Sequence, residues 1–143
     1  MSDGVLKERV RVYNLEGDYN CAESLLRASN DEYNLGLTEE SLKVAGGFGG
    51  GCYSGRLCGA CAGSIMAISK KYIHERAHID VKAQERVNEY VEAFIEVLGS
   101  DLCTELKEKY FDETLEKGRC MRTMGMAADI LEKKMQKYEL EDA

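Results

Sequence analysis

Apolar residues along the chain follow the spacing of amphipathic helices. They recur three and four residues apart, and no stretch alternates strictly between apolar and polar positions. The clearest apolar stripe predicts a long helix after Asp80, which Gly99 should end. The residues of this helix expected to face the core are Val87, Val91, Phe94, Ile95 and Leu98. We therefore predict an all-α fold, a compact helical bundle of about five to seven helices.

Capping residues divide the rest of the pattern into shorter helices. We expect a first helix over residues 3–14 and a second one capped by Asp18. Thr38 should cap a short third helix, whose first turn then carries two acidic residues where the helix dipole favours them. The remaining helices should run from near Cys58 into the low seventies, from Ser100 or Asp101 across Cys103, and from near Gly118 to about Tyr138.

A glycine-rich segment, residues 46–55, interrupts the helical pattern before the helix at Cys58. It lacks the Gly-Lys-Ser/Thr of a phosphate-binding P-loop, and it follows a helix rather than the strand of a dinucleotide-binding motif. Two interpretations stay open. The segment is either a tight loop that needs positive φ angles, or a nest of backbone N–H groups that binds an anion or cofactor near Cys58.

Composition and charge narrow the class of protein. The 143 residues suit a single domain, 1–143, and contain no proline. With 26 acidic and 19 basic side chains, the net charge of −7 argues against nucleic acids and anionic membranes as partners. No apolar run approaches the roughly 20 residues that span a bilayer, and the N-terminus lacks a secretion-signal pattern. We expect a cytoplasmic protein without membrane insertion.

Six cysteines are more than packing requires, and a disulfide framework is unexpected in a reducing compartment. Four of them fall in the first turn of a predicted helix: Cys21, Cys58, Cys103 and Cys120. Free N–H groups and the helix dipole stabilise a thiolate there, and the thiolate attacks disulfides and binds metals. Arg56, Arg119 and Arg122 lie nearby in sequence and should favour the thiolates further.

The segment that starts at Cys58 allows three chemical interpretations. Cys58 and Cys61 form a C-x-x-C pair at a helix start, where the second cysteine can resolve a disulfide formed by the first. With His74 and His78 they also match the spacing of a zinc finger, but a helix after Cys61 and an acidic chain argue against one. His74-Glu75-x-x-His78 spells the H-E-x-x-H of zinc hydrolases, which requires a helix and a third ligand.

Several motifs, taken together, are similar to those of one family. Residues 58–63 read Cys-Gly-Ala-Cys-Ala-Gly, which matches a Cys-Gly-Ala-x-x-Gly hallmark. Residues 20–22 match an Asn-Cys-Ala segment that opens a helix, and residues 48–51 match Phe-Gly-Gly-Gly. Cys103 and Cys120 match the two later cysteines. In these motifs the chain resembles the redox-active proteins called C_GCAxxG_C_C.

The resemblance implies an all-helical fold and a redox role for the four cysteines at the helix starts. Cys52 and Cys61 are not among the four family cysteines, and His74 and His78 fall in a variable region, which weakens both zinc interpretations. The candidate cofactor-binding residues are those of the glycine motifs: Phe48, Gly49, Gly50, Gly51, Gly59 and Gly63.

Three functions are thus compatible with the sequence. In the first, Cys58 attacks a substrate and another cysteine resolves the disulfide, so that the protein performs thiol–disulfide exchange or electron transfer. In the second, the four family cysteines hold zinc or an iron–sulfur cluster. The third is the zinc hydrolase. The redox partner, whether a protein or a small molecule, is not identified by the sequence, and a homo-oligomer and enzymatic activity both stay open.

Overall fold

A computed structural model describes residues 3–143 of the chain. Over that range the all-α prediction is confirmed, with seven α-helices and no strand beyond one isolated bridge. The helices are α1 (Val5–Leu15), α2 (Cys21–Tyr33), α3 (Glu39–Leu42), α4 (Gly59–Tyr72), α5 (Val81–Leu98), α6 (Cys103–Tyr110) and α7 (Met121–Asp142). A 3₁₀ turn (Lys43–Phe48) and a π-helical turn (Gly51–Gly55) lie between α3 and α4. Within residues 3–143, no helix combines the length and apolarity needed to cross a bilayer.

The predicted helix ends are confirmed at some positions and wrong at others. Thr38 caps α3, and Gly99 ends α5 in the left-handed conformation. Asp18 does not cap α2, because Asn20 does so in a capping box with Glu23. The Asn20 side-chain oxygen accepts from the Glu23 N–H, and the Glu23 carboxylate accepts from the Asn20 N–H, each at 3.0 Å. The acid three residues after Asn20 makes this pair the better cap.

The start of α6 also differs from the prediction. The residue before the helix is Leu102, not Ser100 or Asp101. The Ser100 hydroxyl oxygen accepts from the Leu102 N–H at 3.0 Å and so supports the turn that leads into the helix. The backbone carbonyl of Asp101 accepts from the Cys58 N–H at 2.8 Å, and no side chain caps the helix.

The core forms around α4, which packs against α2, α5 and α7. In α5 the fully buried stripe runs through Tyr90, Phe94 and Leu98, at intervals of four residues. Ile95 lies one position off that stripe, so the prediction that it faces inward is wrong, and its side chain is 40% exposed. The Tyr90 hydroxyl donates to the Ala127 carbonyl at 3.0 Å and fixes α5 against α7.

Helix α4 approaches α2 unusually closely because two glycines, one helical turn apart, lie at the contact. A β-carbon on Gly63 would lie 2.6 Å from the Ala22 carbonyl oxygen and 2.9 Å from the Leu25 β-carbon. A β-carbon on Gly59 would overlap the sulfur of Cys21. The two glycines of the hallmark motif therefore set the spacing between these helices.

Replacing Gly63 by alanine should destabilise the fold. Overpacking of this kind costs about 1–3 kcal/mol, and the higher helix propensity of alanine returns only about 1 kcal/mol. We expect a net loss of unfolding free energy for Gly63→Ala in urea denaturation. Gly47→Ala is the matched control, because a β-carbon there would meet open space. Equal stability of the two variants would contradict the close-contact explanation.

Candidate functional site

An isolated antiparallel bridge between Leu57 and Leu102 joins the starts of α4 and α6. The Cys58 N–H donates to the Asp101 carbonyl at 2.8 Å, and a 2.6 Å bond from the Cys103 N–H flanks the bridge on the other side. Neighbouring residues of an extended chain point to opposite faces. Cys58 and Cys103, each one residue beyond the bridging leucine, therefore lie on the same face.

The four family cysteines all lie at helix starts, as predicted from the sequence. Cys21 and Cys103 are the first residues of α2 and α6, and Cys58 and Cys120 immediately precede α4 and α7. All four line one pocket of about 260 Å³ that is open to solvent. The tertiary structure thus brings together cysteines that are up to about a hundred residues apart in the chain.

Side chains that the sequence analysis did not single out complete this cysteine pocket. Leu106, Phe111 and Met124 form an apolar wall. The charged residues of the lining are Lys107, Glu116, Lys117 and Arg119. The sequence could have indicated some of them, because residues three and four apart lie on the same face of a helix. Leu106 and Lys107 follow Cys103 by three and four residues, and Met124 follows Cys120 by four.

Asn20 holds the glycine-rich segment beside the pocket. Its side-chain N–H group donates to the Gly46 carbonyl at 2.9 Å and to the Tyr53 hydroxyl at 3.2 Å. Gly51 adopts a φ of 64°, and a β-carbon there would lie 2.6 Å from the β-carbon of Cys103. Glycine at this position lets the backbone pass directly against α6.

The candidate cofactor-binding residues are divided between the pocket and the packing around it. Gly50 and Gly59 line the pocket. Gly51 and Gly63 lie at close contacts with neighbouring helices, and Gly49 lies against the side chain of Asn20. The side chain of Phe48 is 38% exposed. The pocket lining therefore includes two of the six candidates.

Burial raises the pKa values of three of the pocket thiols. It raises the pKa of Cys58 to about 12 and that of Cys120 to about 11, and it also raises the pKa of Cys21. The N–H groups in the first turn of α4 lower the pKa of Cys58, without forming a capping hydrogen bond to its sulfur. The helix-start effect predicted from sequence is thus present, but desolvation outweighs it, and these three thiols are protonated at neutral pH.

The cation that favours the Cys120 thiolate is Lys107, not the neighbouring Arg119 or Arg122. The Arg119 Nε group donates to the Leu115 carbonyl. The influence of Lys107 opposes that of burial at Cys120, so a positive charge from α6 acts on this pocket sulfur.

The other two cysteines lie outside the pocket lining. Cys61 is fully buried in α4, where burial raises its pKa to about 12 and the nearby Cys58 adds to the shift. Cys52 is exposed in the π-helical turn. A resolving role for Cys61 stays a prediction, and it would require Cys58 to turn towards the core.

The H-E-x-x-H segment is not helical. The zinc-hydrolase interpretation is therefore wrong, because it requires both histidines on one face of a helix. Helix α4 ends at Tyr72. An oxygen of the Asp80 carboxylate accepts from the N–H groups of His74, Glu75 and Arg76, at 3.1, 2.9 and 3.0 Å. This carboxylate organises the segment as a turn, because it satisfies N–H groups that a helix would have used otherwise.

The pocket cysteines have the chemistry of metal ligands, but their side chains are not arranged around one point. Four thiols are a donor set that suits zinc or an iron–sulfur cluster. In the part of the chain from residue 3 to 143, however, no three His, Cys, Asp or Glu side chains are placed to hold a metal ion. The chemistry of the pocket cysteines fits such a metal, but they would have to draw together to bind it.

Comparison with known proteins agrees with the motifs. The profile of the family described as "Putative redox-active protein (C_GCAxxG_C_C)" matches residues 19–134. The chain belongs to this redox-active family. An "Uncharacterized protein" of Archaeoglobus fulgidus is 32% identical over 122 residues, which cover 78% of this chain and 81% of the relative. No solved structure matches the chain.

The rate at which each cysteine is alkylated should depend on how exposed its sulfur is and on how much of it is thiolate. Iodoacetamide reacts with thiolates, so exposed Cys52 should be modified first at about pH 8, and Cys58 and Cys120 much later. Because their pKa values are raised, their rates should keep rising to about pH 10. Peptide mass spectrometry over time measures each site. Fast modification of Cys58 near about pH 7 would contradict the raised pKa.

Proposed function

We propose that this protein is a cytoplasmic thiol redox protein whose pocket cysteines cycle between two thiols and a disulfide. The observation that carries the proposal is the meeting of four cysteines, each from the start of a different helix, at one solvent-open pocket. Membership of a family described as redox-active supports it. The cytoplasmic location continues to rest on the sequence.

Cys58 is the proposed attacking thiol. It lies beside Cys103 on the bridge, and the charges of Cys21 and Cys103 both raise its pKa, which indicates that these sulfurs lie near it. The N–H groups at the start of α4 would stabilise its thiolate once the proton has left. Cys21, Cys103 and Cys120 are the candidates in the pocket for the resolving thiol.

The exchange proceeds in two steps. The Cys58 thiolate attacks a substrate disulfide, forms a mixed disulfide and expels one substrate thiolate. A second pocket thiolate then attacks the Cys58 sulfur, closes a disulfide within the pocket and expels the other substrate thiolate. Two electrons pass to the substrate, and the two protons of the pocket thiols are taken up by the leaving thiolates. In the reverse direction a dithiol reductant restores the pocket.

The raised pKa values determine how fast the pocket thiols react and how that rate depends on pH. At neutral pH the buried thiols hold their protons, and only a small fraction is ready to attack. A thiolate with a high pKa is, once formed, the stronger nucleophile. Slow but effective reduction, with a rate that increases with pH, is therefore expected.

Oxidation by the neutral bis(2-hydroxyethyl) disulfide should test the proposal. The reduced protein should form one disulfide within the pocket, detected by peptide mass spectrometry, and Cys58→Ser should slow its formation by about tenfold or more. Cys52→Ser is the matched control, because Cys52 is exposed and does not line the pocket. Circular dichroism checks that both variants fold. Absence of a pocket disulfide in the unsubstituted protein would overturn the proposal.

A metal or cluster site is the second candidate, and one observation favours it. Neighbouring sulfurs add to the effect of burial in raising the pKa values of Cys21, Cys58 and Cys120, because thiolates held close together repel each other. A bound cation would offset that repulsion and release the protons. The residues that would hold it are Cys21, Cys58, Cys103 and Cys120. When bound, a cluster would supply one-electron transfer, and zinc would brace the four helix starts.

Metal analysis distinguishes these candidates. Protein purified without oxygen is assayed for iron, zinc and acid-labile sulfide per chain, alongside Cys120→Ser and the control Cys52→Ser. The thiol proposal expects no stoichiometric metal in any of them. Stoichiometric metal that is lost in Cys120→Ser and retained in Cys52→Ser would instead establish a metal centre in the pocket.

A further inference from the structure

The rim of the cysteine pocket is positively charged, although the chain as a whole carries a net charge of −7. Three of the lining residues are cations, namely Lys107, Lys117 and Arg119, against one acid, Glu116. Within residues 3–143 none of these four forms an ion pair. Their charges are therefore available to a molecule that enters the pocket.

Two of these cations lie near the ring of Phe111 at one side of the pocket. The Lys107 ammonium lies 5.4 Å from the centre of the Phe111 ring, and the Arg119 guanidinium lies 6.0 Å from it. Lys107 also acts on one pocket sulfur, since its charge lowers the pKa of Cys120. At least one rim cation, Lys107, thus lies within electrostatic reach of a pocket thiol.

We propose that the pocket selects small disulfides that carry carboxylates. The rim cations would bind the carboxylates, and the apolar wall of Leu106 and Met124 would accept the methylene groups that lead to the sulfurs. Four helices also begin at the pocket, and the positive ends of their dipoles add to the attraction of the rim for carboxylates. This inference rests on the proposed thiol–disulfide function and names its substrate class.

The reaction balances without a further co-reactant. Two pocket thiols and one carboxylate-bearing disulfide give one pocket disulfide and two carboxylate-bearing thiols. The substrate S–S bond breaks and a pocket S–S bond forms. The two protons pass from the pocket thiols to the leaving thiolates, and the reduced product stays anionic.

Three disulfides of matched length and different charge provide the test. These are 3,3′-dithiodipropionate, which is anionic, bis(2-hydroxyethyl) disulfide, which is neutral, and cystamine, which is cationic. The rate constant for pocket oxidation is divided by the rate constant of the same disulfide with 2-mercaptoethanol, so that intrinsic reactivity cancels. We expect the anionic disulfide to exceed the cationic one by about tenfold or more, and the ratio to shrink at high salt.

Charge-neutral variants locate the selectivity. Lys107→Gln and Lys117→Gln should each lower the ratio of the anionic to the neutral normalised rate several-fold. Because both rates are measured on the same variant, any change in the reactivity of the thiols themselves, such as that expected at Cys120 in Lys107→Gln, cancels in this ratio. Lys133→Gln is the matched control, because Lys133 is exposed on α7, outside this pocket. It removes the same charge from the protein and should leave the preference unchanged.

The outcomes separate this inference from the function on which it rests. Equal normalised rates for all three disulfides would overturn the selection of anions and leave the thiol–disulfide function in place. Selection at the rim would also be overturned if Lys133→Gln lowered the preference as much as the rim variants do, since only net charge would then matter. Failure of the neutral disulfide and both charged ones to oxidise the pocket would overturn both the selection and the function.

Discussion

The contact between α2 and α4 is the constraint on which the rest of the site depends. Gly59 and Gly63 let α4 lie directly against Ala22, at a distance that any β-carbon would prevent. The same contact places the sulfur of Cys21 beside Gly59, next to Cys58. A motif that looks like a redox signature is therefore also a packing motif, because its glycines bring two helix starts and their cysteines together.

Burial and helix-start electrostatics oppose each other at the pocket sulfurs, and burial prevails. A thiol at a free helix start would have a lowered pKa. Here four such starts converge, so each sulfur loses water and gains thiol neighbours, and the pKa values of Cys58 and Cys120 rise. Convergence therefore leaves Cys58 and Cys120 protonated at neutral pH, where an isolated helix start would favour the thiolate. The charge of Lys107, at the rim of the pocket, partly opposes this rise at Cys120.

Local sequence signals were reliable where neighbouring residues decided the outcome. The cap at Thr38 and the helix end at Gly99 depend on side chains and backbone within one turn, and both predictions are confirmed. The zinc-hydrolase interpretation of the histidine segment is wrong because it requires a helix, and Asp80, which follows the motif, binds the N–H groups that a helix would have used. Asp18 is not the cap of α2, since the pairing of Asn20 with Glu23 satisfies two groups where Asp18 could satisfy one.

By itself the sequence determined the helical class, most helix positions and the placement of four cysteines at helix starts, because periodicity and capping act over a few residues. Only the tertiary structure decided that these cysteines share one pocket, since their convergence requires the bridge between Leu57 and Leu102 and the glycine contact of α4. It also decided the raised pKa values of Cys58 and Cys120 and the cationic rim that includes Lys107. Desolvation and charge depend on which groups come together in space, and these groups are distant from one another along the chain.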